Sequence, residues 1–370
     1  MNVQTIPDVH VHSAGFKHKN LNLQWLRGAA AILVLVYHAS TYLAFERQDE
    51  RFRAVFGDAF GLIGVAVFFA ISGALMADIV RKTDPFEFLI HRILRIYPIF
   101  ILVSVAVPIL FSGDLAFDGR AILLAPIGGS GNFRLGVEWT LILEMLFYIL
   151  LFLLALAGMA RHVERFAIGW IVVLLVALLF SDAPFQGDVI RPDLLTAPFL
   201  AVNFAFAGGL LIPGLARRGA FQPSLAVPGA AAAMTCMAFA PGYDRLAGAI
   251  AAVIFVGLAL APQPIRVGDS RLERAATRLG DSSYALYLCH VPIQLAIYTR
   301  LDVSPALAWT LAVIAPIAVA LLLGRFDIGL YRRLRTWSDK SSPASTRRWA
   351  LIFAGAYLVM GAYFQLFESD

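Results

Sequence analysis

An arginine and a histidine bracket one apolar run. Arg27 stands at its start, His38 follows Tyr37, and nothing between them is charged. At 100° per residue, eleven steps return His38 to within about 20° of Arg27, about 16 Å further along a helix axis. The two therefore share a face. In hydrocarbon such groups are costly unless that face looks into a protein or water-filled interior, so residues of this kind mark function. A guanidinium binds phosphate or carboxylate, and an imidazole, with an ordinary pKa of about 6.5, exchanges protons near pH 7.

Four other stretches place polar groups among apolar ones. Arg92 and Arg95, in His91-Arg92-Ile93-Leu94-Arg95-Ile96-Tyr97-Pro98, are neighbours on a helical face. They suit a fork for phosphates or, equally, the basic flank of a membrane segment whose side chains snorkel. Glu144 lies about two turns into the run that begins at Glu138-Trp139-Thr140. It has no cation nearby in sequence, needs a partner from another helix or a proton, and is read as a cavity residue; Glu138 sits at the outer edge. His290 is a second imidazole at membrane depth, with Tyr287 one turn before it. The glycines and serine of Gly64 to Gly73 allow close helix approach, which packing alone explains.

These residues need helices to hold them. The chain is 59% hydrophobic and 15% charged, with mean hydropathy +0.75, far from a soluble average. Apolar runs of about 20 residues fall at 26–45, 59–80, 96–112, 137–157, 165–181, 194–212, 225–240, 245–261, 281–300, 306–324 and 348–367. The expected fold is all-α, a polytopic membrane protein with about 10 to 11 transmembrane helices around a central polar cavity. Residues 1–20 read as a disordered cytoplasmic leader in which His10, His12 and His18 are irregularly spaced. Residues 21–335 form the membrane domain, 336–347 a cytoplasmic linker, and 348–370 an extra C-terminal transmembrane helix. An amino terminus in the cytoplasm puts about 22 of the 30 Lys and Arg residues on the inner side, as the positive-inside rule requires. The net charge of +5 is spread over short connections and forms no stripe, which speaks against a nucleic-acid partner. Cys236 and Cys289 both lie in apolar runs, so neither a disulfide framework nor a cysteine metal site is indicated.

Five ordered motifs resemble the bacterial acyltransferase family 3, whose members are integral membrane O-acyltransferases of surface polysaccharides. They are Leu26-Arg27-Gly28 with His38, Gly64 to Gly73, Arg92 and Arg95 before Tyr97-Pro98, Trp139-Thr140-Leu141 with Glu144 and Phe147-Tyr148, and Ser283-Tyr284 through His290. Opening with Leu23-Gln24-Trp25-Leu26-Arg27 looks most similar to the exopolysaccharide acetyltransferase branch. Ala66, Ala74 and Asp327 with Gly329 depart from the family's usual residues and put substrate details in doubt.

The resemblance implies a bacterial inner-membrane enzyme. Cytoplasmic acetyl-CoA is its acyl donor substrate, with the phosphates at Arg27, Arg92 and Arg95, and no metal is needed. His38 acts as general base on a sugar hydroxyl of a glycan or lipid-linked acceptor. Glu144 or Tyr287 orients the imidazole, and His290 or a tyrosine steadies the oxyanion. An acetyl-His38 intermediate is a second route. The residues by themselves leave two rivals open. One is a proton-coupled transporter or flippase using His38, Glu144 and His290 as a relay, and the other is a non-catalytic membrane scaffold for a synthase complex; a polysaccharide synthesis complex or a homo-oligomer is the expected protein partner. The absence of an evident internal repeat weighs against the transporter.

Overall fold

The computed structural model describes residues 20–111, 119–128, 135–180, 191–240, 242–261 and 270–367. The polar leader 1–19 with its three histidines lies outside these, as do residues 368–370. The described residues are helical and form no strand; one isolated bridge joins Ile127 to Asp193. In chain order the helices are α1 (Leu21–Arg47), α2 (Asp58–Lys82), α3 (Pro85–Phe111), α4 (Gly119–Ile122), α5 (Glu138–Leu156), α6 (Val163–Phe180) and α7 (Asn203–Arg217). They continue with α8 (Pro223–Phe239), α9 (Asp244–Leu260), α10 (Arg271–Asp281), α11 (Ser283–Arg300), α12 (Pro305–Ser338) and α13 (Pro343–Phe367).

Local chemistry sets the starts. The Asn20 side chain accepts from the Leu23 amide at 3.1 Å and caps α1. Asp84 accepts from the Phe86 and Glu87 amides ahead of Pro85. Ser304 and Ser342 do the same ahead of Pro305 and Pro343, where the missing proline N–H costs nothing.

Seven helices are long and apolar enough to cross a membrane: α1, α2, α3, α5, α6 with the short turn of helix before it, α12 and α13. A multi-pass, all-α membrane protein follows. Three expected segments differ. The run 194–212 becomes α-helix only at Asn203, after a single 3-10 turn at Ala197–Phe199 that contains Pro198, and α7 is left with 15 residues. Of the expected connection 262–280, residues 271–280 are helical, and 262–269 lie outside the described residues. Ser270 and Glu273 form a capping box that starts α10, a charged amphipathic helix that a search for apolar runs passes over. The linker 336–347 shrinks to a turn, since α12 continues to Ser338 and α13 begins at Pro343. At 34 residues α12 is about 50 Å long, so its basic end outruns a hydrocarbon core of about 30 Å.

Helix α2 is central and packs on α1, α7 and α9. A Cβ on Gly73 would stand 2.3 Å from the Phe206 carbonyl oxygen, and one on Gly209 would stand 2.4 Å from that of Ala70. Backbone meets backbone there, which is the close approach that the Gly64 to Gly73 stretch allows. Helices α1, α2, α3, α5 and α11 then enclose a chamber.

Candidate active site

The chamber has a volume of about 180 Å³, and its polar lining comes from five helices. On α5, Thr140, Glu144 and Tyr148 repeat every fourth residue and so point the same way. Arg27 from α1 and Arg92 and Arg95 from α3 face them, with Ser72, Ser283 and Tyr284 completing the wall. Arg27 Nη2 donates to Ser283 Oγ at 3.1 Å, and that hydroxyl donates to the Gly280 carbonyl at 2.8 Å. Arg95 Nη1 lies 2.7 Å from Oδ2 of Asp327, a carboxylate only 3% exposed. Its guanidinium also faces the rings of Tyr284 and Tyr331, at 5.1 and 5.6 Å.

Arg92 is held differently. Its guanidinium lies 5.9 Å from the Tyr148 ring centre, and its Nε is buried with no hydrogen-bond partner. Glu144 accepts from Ser72 Oγ at 3.4 Å and from the Tyr148 hydroxyl. Three guanidiniums thus face one carboxylate across the chamber, with Asp327 behind Arg95. Such an excess in a low-dielectric wall favours an anion.

Beyond the chamber, His38 of α1 meets His290 of α11, Nδ1 to Nε2, at 2.9 Å. His290 Nδ1 lies 3.1 Å from the Leu286 carbonyl and 2.9 Å from that of Tyr287. Both are acceptors, so this nitrogen carries the hydrogen, and in the neutral ring Nε2 is the acceptor. His38 Nδ1 must then be the donor. The lone pair of the half-buried His38 ring is left on Nε2, as a general base requires. Tyr42 stacks on His38 with ring centres 5.8 Å apart, and Tyr37 flanks it at 4.8 Å.

Neither histidine lines the chamber. Tyr287 does, and its ring stands 5.8 Å from that of His290 and edge-on to Phe68 at 6.0 Å. Tyr287 therefore stands between the chamber and the histidine pair, with Phe68 packed against its ring on the chamber side.

The family model described as an acyltransferase domain matches residues 20–325. The chain belongs to acyltransferase family 3. Comparison with curated proteins and with solved structures gives no match. The match runs from the cap of α1 to the middle of α12 and stops two residues short of Asp327.

In this membrane acyltransferase the seven expected site residues fall into two groups. Arg27, Arg92 and Arg95 come together at the chamber, and His38 joins His290 beyond it. Glu144 belongs with the arginines and makes no hydrogen bond to either imidazole, because the α5 stripe aims it at Ser72 and Tyr148. Tyr287 does not orient the imidazole through its hydroxyl either, which lies 2.8 Å from Thr140 Oγ1. His290, expected at the oxyanion, is the hydrogen-bond partner of His38. Glu138 is structural: its carboxylate accepts from the Leu135 and Val137 amides at 2.6 and 3.0 Å. Asp327, Ser72, Tyr148 and Ser283 stand in the sequence motifs or among the departures from them without being assigned to the site. The i, i+4 spacing of Thr140, Glu144 and Tyr148 was the available signal for Tyr148.

Proposed function

We propose that this acyltransferase moves an acyl group, acetyl in the simplest case, from acyl-CoA to a sugar hydroxyl of an exopolysaccharide or another surface glycan. His38 serves as general base. The single observation that carries this reading is the His38–His290 hydrogen bond, which leaves the lone pair of the neutral His38 ring on Nε2. The acceptor hydroxyl gives its proton to that nitrogen as its oxygen bonds to the thioester carbon. The carbon–sulfur bond breaks, and the thiolate departs and is protonated. Proton removal of this kind contributes typically about 10² to 10⁴-fold.

The arginine chamber suits the donor's charged part. At about 180 Å³ it is smaller than the roughly 300–1,000 Å³ of pockets that enclose a whole drug-sized ligand. It fits a phosphate group or a slender thiol arm, and the unpartnered Arg92 Nε offers a donor. Transfer requires the Phe68 and Tyr287 side chains to swing aside, so that the thioester reaches His38. The distribution of basic residues favours a cytoplasmic amino terminus, and the family resemblance a bacterial plasma membrane. The chamber then opens toward the cytoplasmic donor, with His38 nearer the outer acceptor.

The test is acyl content of surface glycan, read by mass spectrometry, in a deletion strain complemented with wild type or His38→Ala. The variant is expected to lose the modification while inserting normally. Full modification by His38→Ala would overturn the assignment, and transport of a lipid-linked glycan without acyl transfer would favour a transporter.

A further inference from the structure

A second basic site lies at the end of the bundle where α2 turns into α3. Arg81 near the end of α2, Arg217 at the end of α7, Arg161 and His162 in the turn before α6, and Glu164 and Arg165 in its first turn enclose an open cleft of about 450 Å³. Glu164 Oε1 accepts from Arg81 Nη2 and from Arg217 Nη2, each at 2.9 Å. Gly214 of α7 makes room for it: a Cβ there would stand 2.8 Å from the carboxylate carbon. One carboxylate is thus shared by two guanidiniums. Among the described residues Arg161 and Arg165 make no ion pair, so the cleft carries four arginines against one acid.

A stripe of apolar side chains starts at the cleft. From Arg165 the spacing of three and four residues leads down one face of α6 through Ile168, Val172, Val176 and Leu179, each more than half exposed. Helix α6 belongs to a candidate membrane span, so this face meets lipid, and Arg81, Arg165 and Arg217 stand at helix ends, at headgroup depth.

We propose that this cleft binds the headgroup phosphate of an anionic phospholipid, whose acyl chain runs along Ile168, Val172, Val176 and Leu179. The excess positive charge selects against a zwitterionic headgroup, whose ammonium would face the same arginines. The stripe selects against a free phosphate, which would leave it unused. The site is separate from the acyl-transfer chamber and shares none of its lining residues.

The experiment is native mass spectrometry of the full chain in detergent. It is titrated with palmitoyl-oleoyl phosphatidylglycerol, with phosphatidylcholine of the same chains, and with inorganic phosphate. Wild type is expected to retain the first phosphatidylglycerol about 10-fold better than phosphatidylcholine, at roughly a few-fold to tenfold per arginine. The Arg161→Gln/Arg165→Gln variant removes two exposed side chains that do not hold Glu164, and it should lose that preference. Arg332→Gln/Arg333→Gln, at the basic end of α12, should keep it. Val172→Asn, which alters only the path of the acyl chain, should weaken phosphatidylglycerol retention. Equal retention of the two lipids by wild type, or an unchanged preference in Arg161→Gln/Arg165→Gln, would overturn the proposal. Displacement of the lipid by millimolar inorganic phosphate would do so as well, by making this a soluble-anion site.

Discussion

His290 Nε2 stands 2.9 Å from His38 Nδ1, while two backbone carbonyls of its own helix hold the other nitrogen of His290. One ring fixes the tautomer of the other, a role that a carboxylate fills in hydrolase triads. A neutral imidazole would do this with less attraction for the cation that the proposed proton transfer forms at His38.

The catalytic share of His290 should therefore be smaller than that of His38. His290→Leu is expected to lower kcat about tenfold to a hundredfold, whereas His38→Ala costs the roughly 10² to 10⁴-fold of a lost general base. His290→Gln retains an oxygen that can accept from His38 Nδ1–H and should recover part of the loss. Turnover of acyl-CoA with a defined acceptor measures both. A wild-type rate in His290→Leu would remove the residue from the mechanism.

The two arginines of α3 differ in ways their spacing hides. Arg95 is paired with buried Asp327, so Arg95→Ala strands a carboxylate. Breaking such a pair costs about 3 kcal/mol, somewhat less here because the guanidinium is partly open to the chamber. Among the described residues Arg92 makes no ion pair; it faces the Tyr148 ring and, across the chamber, Glu144, so Arg92→Ala should lower the unfolding temperature less than Arg95→Ala does. It should still raise the KM for acyl-CoA about tenfold, the order of one charge-assisted hydrogen bond. Thermal unfolding in detergent alongside KM separates the two. Equal destabilisation by both substitutions would contradict the difference.

Packing of α2 on α7 makes a sharper demand than any polar contact. Gly73→Ala puts a methyl group 2.3 Å from the Phe206 carbonyl oxygen, which is backbone and cannot rotate away. Overpacking of this kind costs about 1–3 kcal/mol, and Gly73→Val should prevent assembly. Gly355→Ala is the control, since nothing lies within 4 Å of its added Cβ. Size-exclusion profiles and unfolding temperatures report the outcome, and a stable Gly73→Val protein would show that the helices can part.

Much of this arrangement is present in residue spacing. The shared face of Arg27 and His38 follows from helical periodicity, the arginine pair from an i, i+3 interval, and the glycine contact from the Gly64 to Gly73 stretch. The link between His38 and His290 spans 252 residues and depends on how α1 packs on α11, which no local pattern encodes. In sequence Asp327 shows only as a departure from the family pattern; its pairing with Arg95 is hidden because the apolar run ends near Gly324 while the helix continues and carries the carboxylate back. Glu138, placed by sequence at the outer edge of its run, turns back on the chain just before α5, where its carboxylate accepts from the Leu135 and Val137 amides.

Tyr287 poses the last test, because it touches both halves of the site. Its ring lines the chamber and faces His290, and its hydroxyl is anchored on Thr140. A partition of this kind keeps water from an activated thioester until the acceptor is in place, since premature hydrolysis wastes the donor. Tyr287→Phe keeps the ring and loses only the anchor, so coupled transfer should fall no more than a few-fold, about the roughly 1 kcal/mol of one hydrogen bond. Tyr287→Ala opens the wall, and acyl-CoA should then be hydrolysed without any acceptor, with His38 passing the proton from water instead of from a sugar. Release of free CoA, followed with a thiol reagent, measures this directly. If Tyr287→Ala released no more CoA than wild type in the absence of acceptor, the ring would be packing and not a barrier. If His38→Ala combined with Tyr287→Ala hydrolysed as fast as Tyr287→Ala alone, the water would be activated elsewhere.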